Sequence, residues 1–308
     1  MNAIERAEQI LRDACGERLR VAMTMAPLTT FRIGGPAALY LEPEAEPDLH
    51  AASLALVETG IPFVVIGKGS NLLVADEGFA GLVLRLGRGY RWVARDGSRL
   101  TAGGAMPLPA LSGVALQHRL SGLEFGIAIP ATVGGAVRMN AGAHAGAMAD
   151  VVRSIEVYRL LSGGPDTIPA AEAAFAYRRS GLPEDGVVTA VTVNLSPGDP
   201  AAIRSTMDEA RAWRRRTQPV AEPNCGSVFK NPKDDHAARL IEAAGLKGHA
   251  VGGAQVSTKH ANFIVAAPSS RAADVLALIG EVQEAVERAS GIRLEREVHL
   301  VGAFDDAA

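Results

Sequence analysis

The sequence predicts a mixed αβ protein of two or three domains, and three observations lead there. A helix-like segment, a strand-like segment and a glycine loop follow one another over residues 48–71, an order that fits αβ layers better than a helical bundle or a sandwich. The 308 residues exceed what one hydrophobic core usually supports. A composition of 48% hydrophobic and 21% charged residues is that of an ordinary globular chain.

The same arithmetic excludes several function classes. With 31 Lys plus Arg against 34 Asp plus Glu, the net charge is −3, so no basic surplus exists for phosphate-backbone binding, and no nucleic-acid partner is expected. No apolar run reaches the roughly 20 residues of a membrane span. The N-terminal stretch carries Glu5, Arg6, Glu8, Arg12 and Asp13 instead of a basic segment followed by an apolar one, so it does not read as a secretory signal. The expected location is cytoplasmic. Two cysteines, Cys15 and Cys225, and histidines without an H-x-x-x-H pair supply neither a disulfide framework nor a ligand set, so no metal is expected.

The elements follow in chain order. Residues 2–14 form an amphipathic helix with Ile4, Ala7, Ile10 and Leu11 on one side. After the polar-to-glycine turn 29–36 comes a strand, 37–41. Asp48 can cap a helix carrying Leu49, Ala52 and Leu56, which Gly60 ends. The β-branched run 61–66 reads as a buried strand. Strands are expected at 82–86 and 90–94, a helix at 107–120 stopped by Gly122, and strands at 151–161 and 187–195.

Asp199-Pro200 is a helix start, with Ile203, Met207 and Ala210 on one face and Arg204, Asp208, Arg211 and Arg215 on the other, and Pro219 ends it. Ser196-Pro197-Gly198 interrupts the pattern and marks a domain boundary near 198. Beyond it, Asp235 can cap a helix over 237–244, residues 261–266 read as a strand, and Ser270 can cap a helix with an apolar stripe at Val275, Leu278, Ile279, Val282 and Val286 that Gly291 closes. A final strand, 293–301, puts Leu294, Val298 and Leu300 on one face and Glu295, Glu297 and His299 on the other.

Five motifs carry candidate chemistry, each with a plain structural alternative. Gly67-Lys68-Gly69-Ser70-Asn71-Leu72 can turn successive backbone N–H groups toward a phosphate, or be a tight turn; Leu72 stands where the dinucleotide fingerprint has its third glycine. The Ser121–Ala136 stretch can admit a flat aromatic ligand against the main chain, or pack a helix closely on a strand. An arginine of Tyr177-Arg178-Arg179-Ser180 can grip a carboxylate through a two-pronged bond, or decorate the surface. Cys225-Gly226-Ser227 ahead of Lys230 and Asn231 lacks both a histidine partner and a G-x-S-x-G setting, so a hydrolase reading is weak. Glu297 is a lone carboxylate near Arg293 and Arg296, and the cluster Arg211, Arg214, Arg215, Arg216 suits a helix C-terminus or a diphosphate.

In this order the motifs resemble the UDP-N-acetylenolpyruvoylglucosamine reductase family, flavoenzymes of bacterial peptidoglycan precursor synthesis. The resemblance runs from about Thr29 to Gly302 and rests on T-T-F-R-I-G-G, V-I-G-K-G-S-N-L-L-V, G-L-E-F-G-I-A-I-P-A-T-V-G-G-A-V-R-M-N-A-G-A, Y-R-R-S, G-S-V-F-K-N-P and L-E-R-E-V. Ala131 stands where the family commonly has glycine, a mild narrowing of the flavin pocket. The resemblance implies an α+β fold of the PCMH/vanillyl-alcohol-oxidase-like type: an N-terminal helix at 1–19, FAD-binding subdomains at 20–86 and 87–198, and a substrate domain at 199–308. It also implies the family's shorter class, since the tyrosines are 40, 90, 158 and 177 and none lies in the C-terminal domain to form a substrate-covering loop.

The resemblance further implies noncovalent FAD, with its pyrophosphate on Ile66, Gly67, Lys68, Gly69, Ser70, Asn71 and Leu72 and its ring near Ile129, Pro130, Thr132, Val133, Gly134, Gly135 and Ala136. NADPH reduces FAD, and hydride then passes to the enolpyruvyl β-carbon of UDP-N-acetylglucosamine enolpyruvate, yielding UDP-N-acetylmuramate. Charge accumulates on the carboxylate as an enolate dianion. Arg178 supplies cationic hydrogen bonds there, Glu297 completes the site either protonated or hydrogen-bonded, and Ser227 gives the proton to the α-carbon. Tyr177, Arg214, Lys230 and Asn231 hold the UDP-sugar. A monomer is expected. The alternatives are an FAD oxidase of the same architecture, which often tethers FAD through a loop histidine that residues 67–81 lack, and a non-catalytic nucleotide-binding protein.

Overall fold

Two units interleave along the chain in the computed structural model, which describes residues 1–144 and 146–304. The first comprises 1–21, 38–68 and 81–213, and the second 22–37, 69–80 and the chain from 214 onward. The linear cuts expected after 86 and 198 differ from this division. Hydrogen bonding explains the difference: Leu72–Val74 pairs in parallel with His299–Val301, Ala75 N–H donates to Val301 O (2.9 Å), and Gly35 N–H donates to Ala75 O (2.9 Å). These bonds tie two early segments to the end of the chain.

In the first unit, α1 (Ala3–Cys15) is closed by Asn2, whose Oδ1 accepts from Glu5 N–H while the Glu5 carboxylate accepts from Asn2 N–H, both at 2.9 Å. Helix α2 (Glu46–Thr59) begins earlier than its sequence signal. Asp48 is not the cap but the third helical residue; its carboxylate accepts from Glu44 N–H (2.8 Å) and Ala45 N–H (3.3 Å) and pairs with Arg18 (2.8 Å). Gly60, at φ +63, ends the helix as expected. Leu11 of α1 and Leu49 and Leu56 of α2 share a core with Leu39, Leu41 and Leu82 of a four-stranded sheet ordered Leu19–Thr24, Pro36–Leu41, Phe79–Leu84, Phe63–Val65.

A five-stranded antiparallel sheet follows, ordered Gly164–Pro169, Val152–Arg159, Gly186–Asn194, Arg99–Gly103, Val93–Asp96. Its central strand buries Val187 in one core and Val188, Val191 and Val193 in another, which explains why its sequence runs apolar without clean alternation. The strand expected at 90–94 begins only at Val93, after a 3₁₀ turn at Arg88–Tyr90. Helix α3 (Leu108–Gln117) stops before Gly122, because Arg119 takes the left-handed conformation (φ +56). Helix α4 (Val133–Arg138) occupies the glycine-rich stretch, and Thr132 Oγ1 accepts Gly135 N–H at its start (3.3 Å). Helix α5 (Pro200–Thr217) starts as expected, Asp199 accepting Ala201 N–H at 3.1 Å.

The second unit contains α6 (Ala237–Ala243) and α7 (Ala272–Ser290) beside a three-stranded sheet, Ala250–Val251, Ala254–Val256 and Ile264–Ala266. Both expected caps are replaced. Asn231 Oδ1 accepts Ala237 N–H (3.1 Å) at α6, while Asp235 bonds His236 N–H and Arg239. At α7 the Asp76 carboxylate accepts Ala272 N–H (2.8 Å) and Ala273 N–H (3.1 Å), and the Ser270 hydroxyl instead donates to Gly253 O at 2.5 Å. The apolar stripe of α7 packs on Leu294 and Val298, each such side chain contributing roughly 1.5–3 kcal/mol by burial. Only His299–Val301 of the expected final strand forms a regular ladder. Among the described residues no helix is long and apolar enough to cross a membrane.

Candidate active site

The first unit holds a cavity open to solvent. Of the cofactor residues expected from sequence, Ile66, Gly67, Lys68, Thr132, Gly134 and Gly135 line it. Ile129 and Pro130 do not, and Val133 and Ala136 are 0% and 1% exposed in the core below: α4 shows the cavity its Gly134-Gly135 face and turns Val133 and Ala136 inward. Arg85, Arg91, Arg138, Gly104 and Gly186 also line it. Sequence reasoning missed these, because nothing local distinguishes them from surface arginines and turn glycines.

Backbone comes close to backbone along this wall. A Cβ on Gly67 would sit 2.5 Å from Thr132 Oγ1, and one on Gly134 would sit 3.2 Å from Gly104 O. Gly134 N–H already donates to Gly104 O at 2.9 Å. The close-packing reading of the glycine stretch holds: it packs α4 tightly against Gly104 and Val188. Four cations, Lys68, Arg85, Arg91 and Arg138, and no carboxylate stand among the described lining residues. A glycine cradle under a cationic rim fits the diphosphate of a dinucleotide.

Arg178 is placed by a tight turn in the same unit. Ala176 and Arg179 exchange two backbone hydrogen bonds (3.0 and 3.2 Å), with Arg178 left-handed at φ +57. Asn140 Nδ2 holds Ala176 O at 3.0 Å and the Ser180 hydroxyl holds Arg138 O at 2.8 Å. The guanidinium donates from Nη1 to Gly142 O (3.0 Å), and its Cζ lies 5.2 Å from the centroid of the exposed Tyr177 ring. This is a held side chain, not surface decoration, and a strained left-handed position for a non-glycine residue often marks function.

The second unit gathers Ser227, Glu297 and Asn71. Gly226, at φ +81, turns the chain, and its N–H donates to Asn224 Oδ1 at 2.9 Å. Next to Ser227, Val228 O accepts Glu297 N–H at 2.7 Å, which brings Ser227 and Glu297 to neighbouring positions on paired backbones. Asn71 Nδ2 donates to Glu297 O (3.2 Å) and Asn71 O accepts His299 N–H (3.1 Å), so this residue of the glycine loop serves the final strand. Buried Asn262, unnoticed in the sequence, clamps the turn with Oδ1 on Phe229 N–H (2.9 Å) and Nδ2 on Phe229 O (2.8 Å). Of the expected nucleotide residues, Lys230 is ion-paired with Glu295, Asn231 starts α6, and burial lowers the Arg214 pKa below the ordinary arginine value. Arg293 pairs with Glu287 (2.6 Å).

Comparison with known proteins decides the family. Over 96% of this chain and 94% of the relative, it is 47% identical to the UDP-N-acetylenolpyruvoylglucosamine reductase of Heliobacterium modesticaldum. The chain belongs to the UDP-N-acetylenolpyruvoylglucosamine reductase family. Residues 218–301 match that family's C-terminal domain and residues 37–163 match an FAD binding domain. The Halalkalibacterium halodurans reductase is 40% identical over 92% of this chain and 94% of its own. A crystal structure of the Thermus caldophilus reductase superposes with a TM-score of 0.81 at 38% identity, covering 92% of this chain and 99% of that one. The expected α+β fold with an FAD-binding domain thus holds for this reductase-family chain.

Cysteine chemistry has no place in the site. Burial pushes the Cys225 thiol far up, with the nearby Glu297 charge adding to it, and burial next to Asp48 lifts Cys15 to about 11. At that pKa roughly one molecule in a thousand carries thiolate at pH 8. We expect neither thiol to react with a disulfide reagent at pH 8 in the native protein and both to react after denaturation; rapid native labelling of Cys225 would contradict its burial. No cluster of three potential metal ligands occurs among the described residues.

Proposed function

We propose that this chain is an NADPH-dependent flavoenzyme that reduces the enolpyruvyl group of UDP-N-acetylglucosamine enolpyruvate to UDP-N-acetylmuramate. The observation that carries this reading is alignment across almost the whole length of both chains, 96% and 94%, with a reductase of that name. Bound noncovalently, FAD supplies the hydride for the enolpyruvyl β-carbon. Ile66, Gly67, Lys68, Thr132, Gly134 and Gly135 hold it, and Gly69, Ser70, Asn71 and Leu72 continue the same loop. The proposal keeps 20–86 and 87–198 as the FAD-binding subdomains and 199–308 as the substrate domain of a cytoplasmic monomer.

The chain's own residues then manage one charge and one proton. As the β-carbon gains hydride, negative charge collects on the substrate carboxylate, and Arg178 meets it with a planar, permanently charged fork. Its turn fixes that fork before substrate arrives, so little reorganisation is needed. Ser227 donates its hydroxyl proton to the α-carbon. An alcohol is a weak acid, yet an enolate dianion is a strong base, so positioning governs the step. Glu297, held through its own N–H by Val228 O, completes the proton-donor side. Tyr177, Arg214, Lys230 and Asn231 bind the UDP-sugar, and Lys230 must exchange its bond to Glu295 for a phosphate to do so.

The purified protein is expected to be yellow with dissociable FAD. Under anaerobic conditions NADPH should bleach it, and addition of the enolpyruvyl substrate should restore the colour. A protein that takes up no FAD refutes the cofactor, and one that bleaches but is not reoxidised by the substrate refutes the activity. An oxidase would regain colour with oxygen at a rate matching turnover, and a silent nucleotide-binding protein would not bleach.

A further inference from the structure

We propose that Arg138 anchors the diphosphate of the bound cofactor, acting both as a charge in the cavity and as the clamp that holds one of its walls; this rests on the FAD reading above. Arg138 is the last residue of α4, whose other end, Thr132 to Gly135, lines the same cavity. From Nη2 it donates to Pro183 O at 3.1 Å and to Gly186 O. Gly186, Val187 and Val188 are themselves cavity wall. One side chain therefore joins the helix on one side of the cavity to the turn that begins the other. The Ser180 bond to Arg138 O ties the same residue to the turn that carries Arg178.

The charges of Asp185 and Glu184 act on Arg138 from beyond ion-pair distance. Among the described residues no carboxylate lies within ion-pair distance of Arg138. Neither Glu184 nor Asp185 forms an ion pair with it, and Asp185 is engaged by Arg159 at 2.7 Å and by Leu161 N–H at 3.2 Å. Burial lowers its pKa below the ordinary arginine value despite the opposing effect of those two carboxylates. Carbonyl oxygens satisfy donors without neutralising a cation, and a desolvated, unpaired charge is costly unless something anionic completes it. A cavity with four cations and no acid among its described lining residues takes an anion there, and a diphosphate is the anion that FAD carries. Lys68, Arg85 and Arg91 share the task, but none of them is shown bridging the walls as Arg138 does.

The test uses the full-length protein stripped of flavin, with FAD, ADP and adenosine as probes and Arg138→Met and Arg138→Lys as variants. FAD binding is followed by flavin fluorescence, and ADP or adenosine by competition. Arg138→Met should weaken FAD by about 10- to 100-fold, the loss expected for a charge-assisted hydrogen bond. It should erase most of the preference for ADP over adenosine and flatten the salt dependence of FAD binding. Arg138→Lys should recover part of the preference, since the charge returns without the two-carbonyl clamp. Thermal melting of the apoproteins checks folding. If ADP and adenosine weaken equally in Arg138→Met, or if FAD affinity is unchanged, the proposal is overturned. Failure of the unmutated protein to bind FAD would instead remove the cofactor reading beneath it.

Discussion

Ser227→Ala should leave reduction by NADPH intact while turnover with the enolpyruvyl substrate falls by about 100- to 1000-fold, the range measured when a single transition-state donor is deleted. The reason is a division of labour within the residues. Ser227 is proposed to act only on the α-carbon, after hydride has moved, so removing its hydroxyl spares the NADPH half-reaction. The backbone around it does not depend on the hydroxyl: Gly226 makes the turn, Asn262 holds Phe229, and Val228 pairs with Glu297. Alanine should therefore fold as serine does. Rapid mixing of the reduced protein with substrate isolates the affected step, and reoxidation at the unmutated rate would end the assignment of Ser227 as proton donor.

Arg178→Lys should be almost as damaging, again by about 100-fold or more in kcat, although the charge is kept. Arginine at this position is proposed to span two tasks, donating from Nη1 to Gly142 O (3.0 Å) and meeting the substrate carboxylate with its planar fork. Lysine presents one compact ammonium that cannot reach both. It must also adopt φ near +57, as the arginine does, so the backbone term is common to both and the comparison isolates the fork. The expected pattern is a fall in kcat with FAD content and melting temperature near those of the parent. A fall confined to KM would mean that Arg178 only binds ground-state substrate and does not stabilise the developing enolate.

Local chemistry made much of the chain legible. Helix α1 with its apolar stripe, the Asp199-Pro200 start of α5, and the glycine stops at Gly60 and Gly291 all stand where residue type alone places them. The errors share a cause. Asp48, Asp235 and Ser270 have the right chemistry for caps, yet Asp48 sits inside its helix and the other two helix starts are served by Asn231 and Asp76. A side chain other than the expected cap, six residues away for Asn231 and 196 for Asp76, can satisfy an orphan N–H, and sequence spacing is blind to it. The same blindness hid Asn262 and the cavity arginines.

What the amino-acid order determined by itself is the repertoire: the glycine turn at 67–72, the glycine-rich stretch through 136, the Y-R-R-S segment, the G-S-V-F-K-N-P turn and the closing L-E-R-E-V, and with them the family. Only the tertiary structure decided partnership. Parallel pairing of Leu72–Val74 with His299–Val301 sends part of one glycine loop to the C-terminal unit, and the bond from Glu297 N–H to Val228 O sets two proposed catalytic residues side by side. Hydrogen bonds between distant strands and the close approach of backbones at glycine depend on which surfaces fold together, and no local pattern of residues encodes that choice.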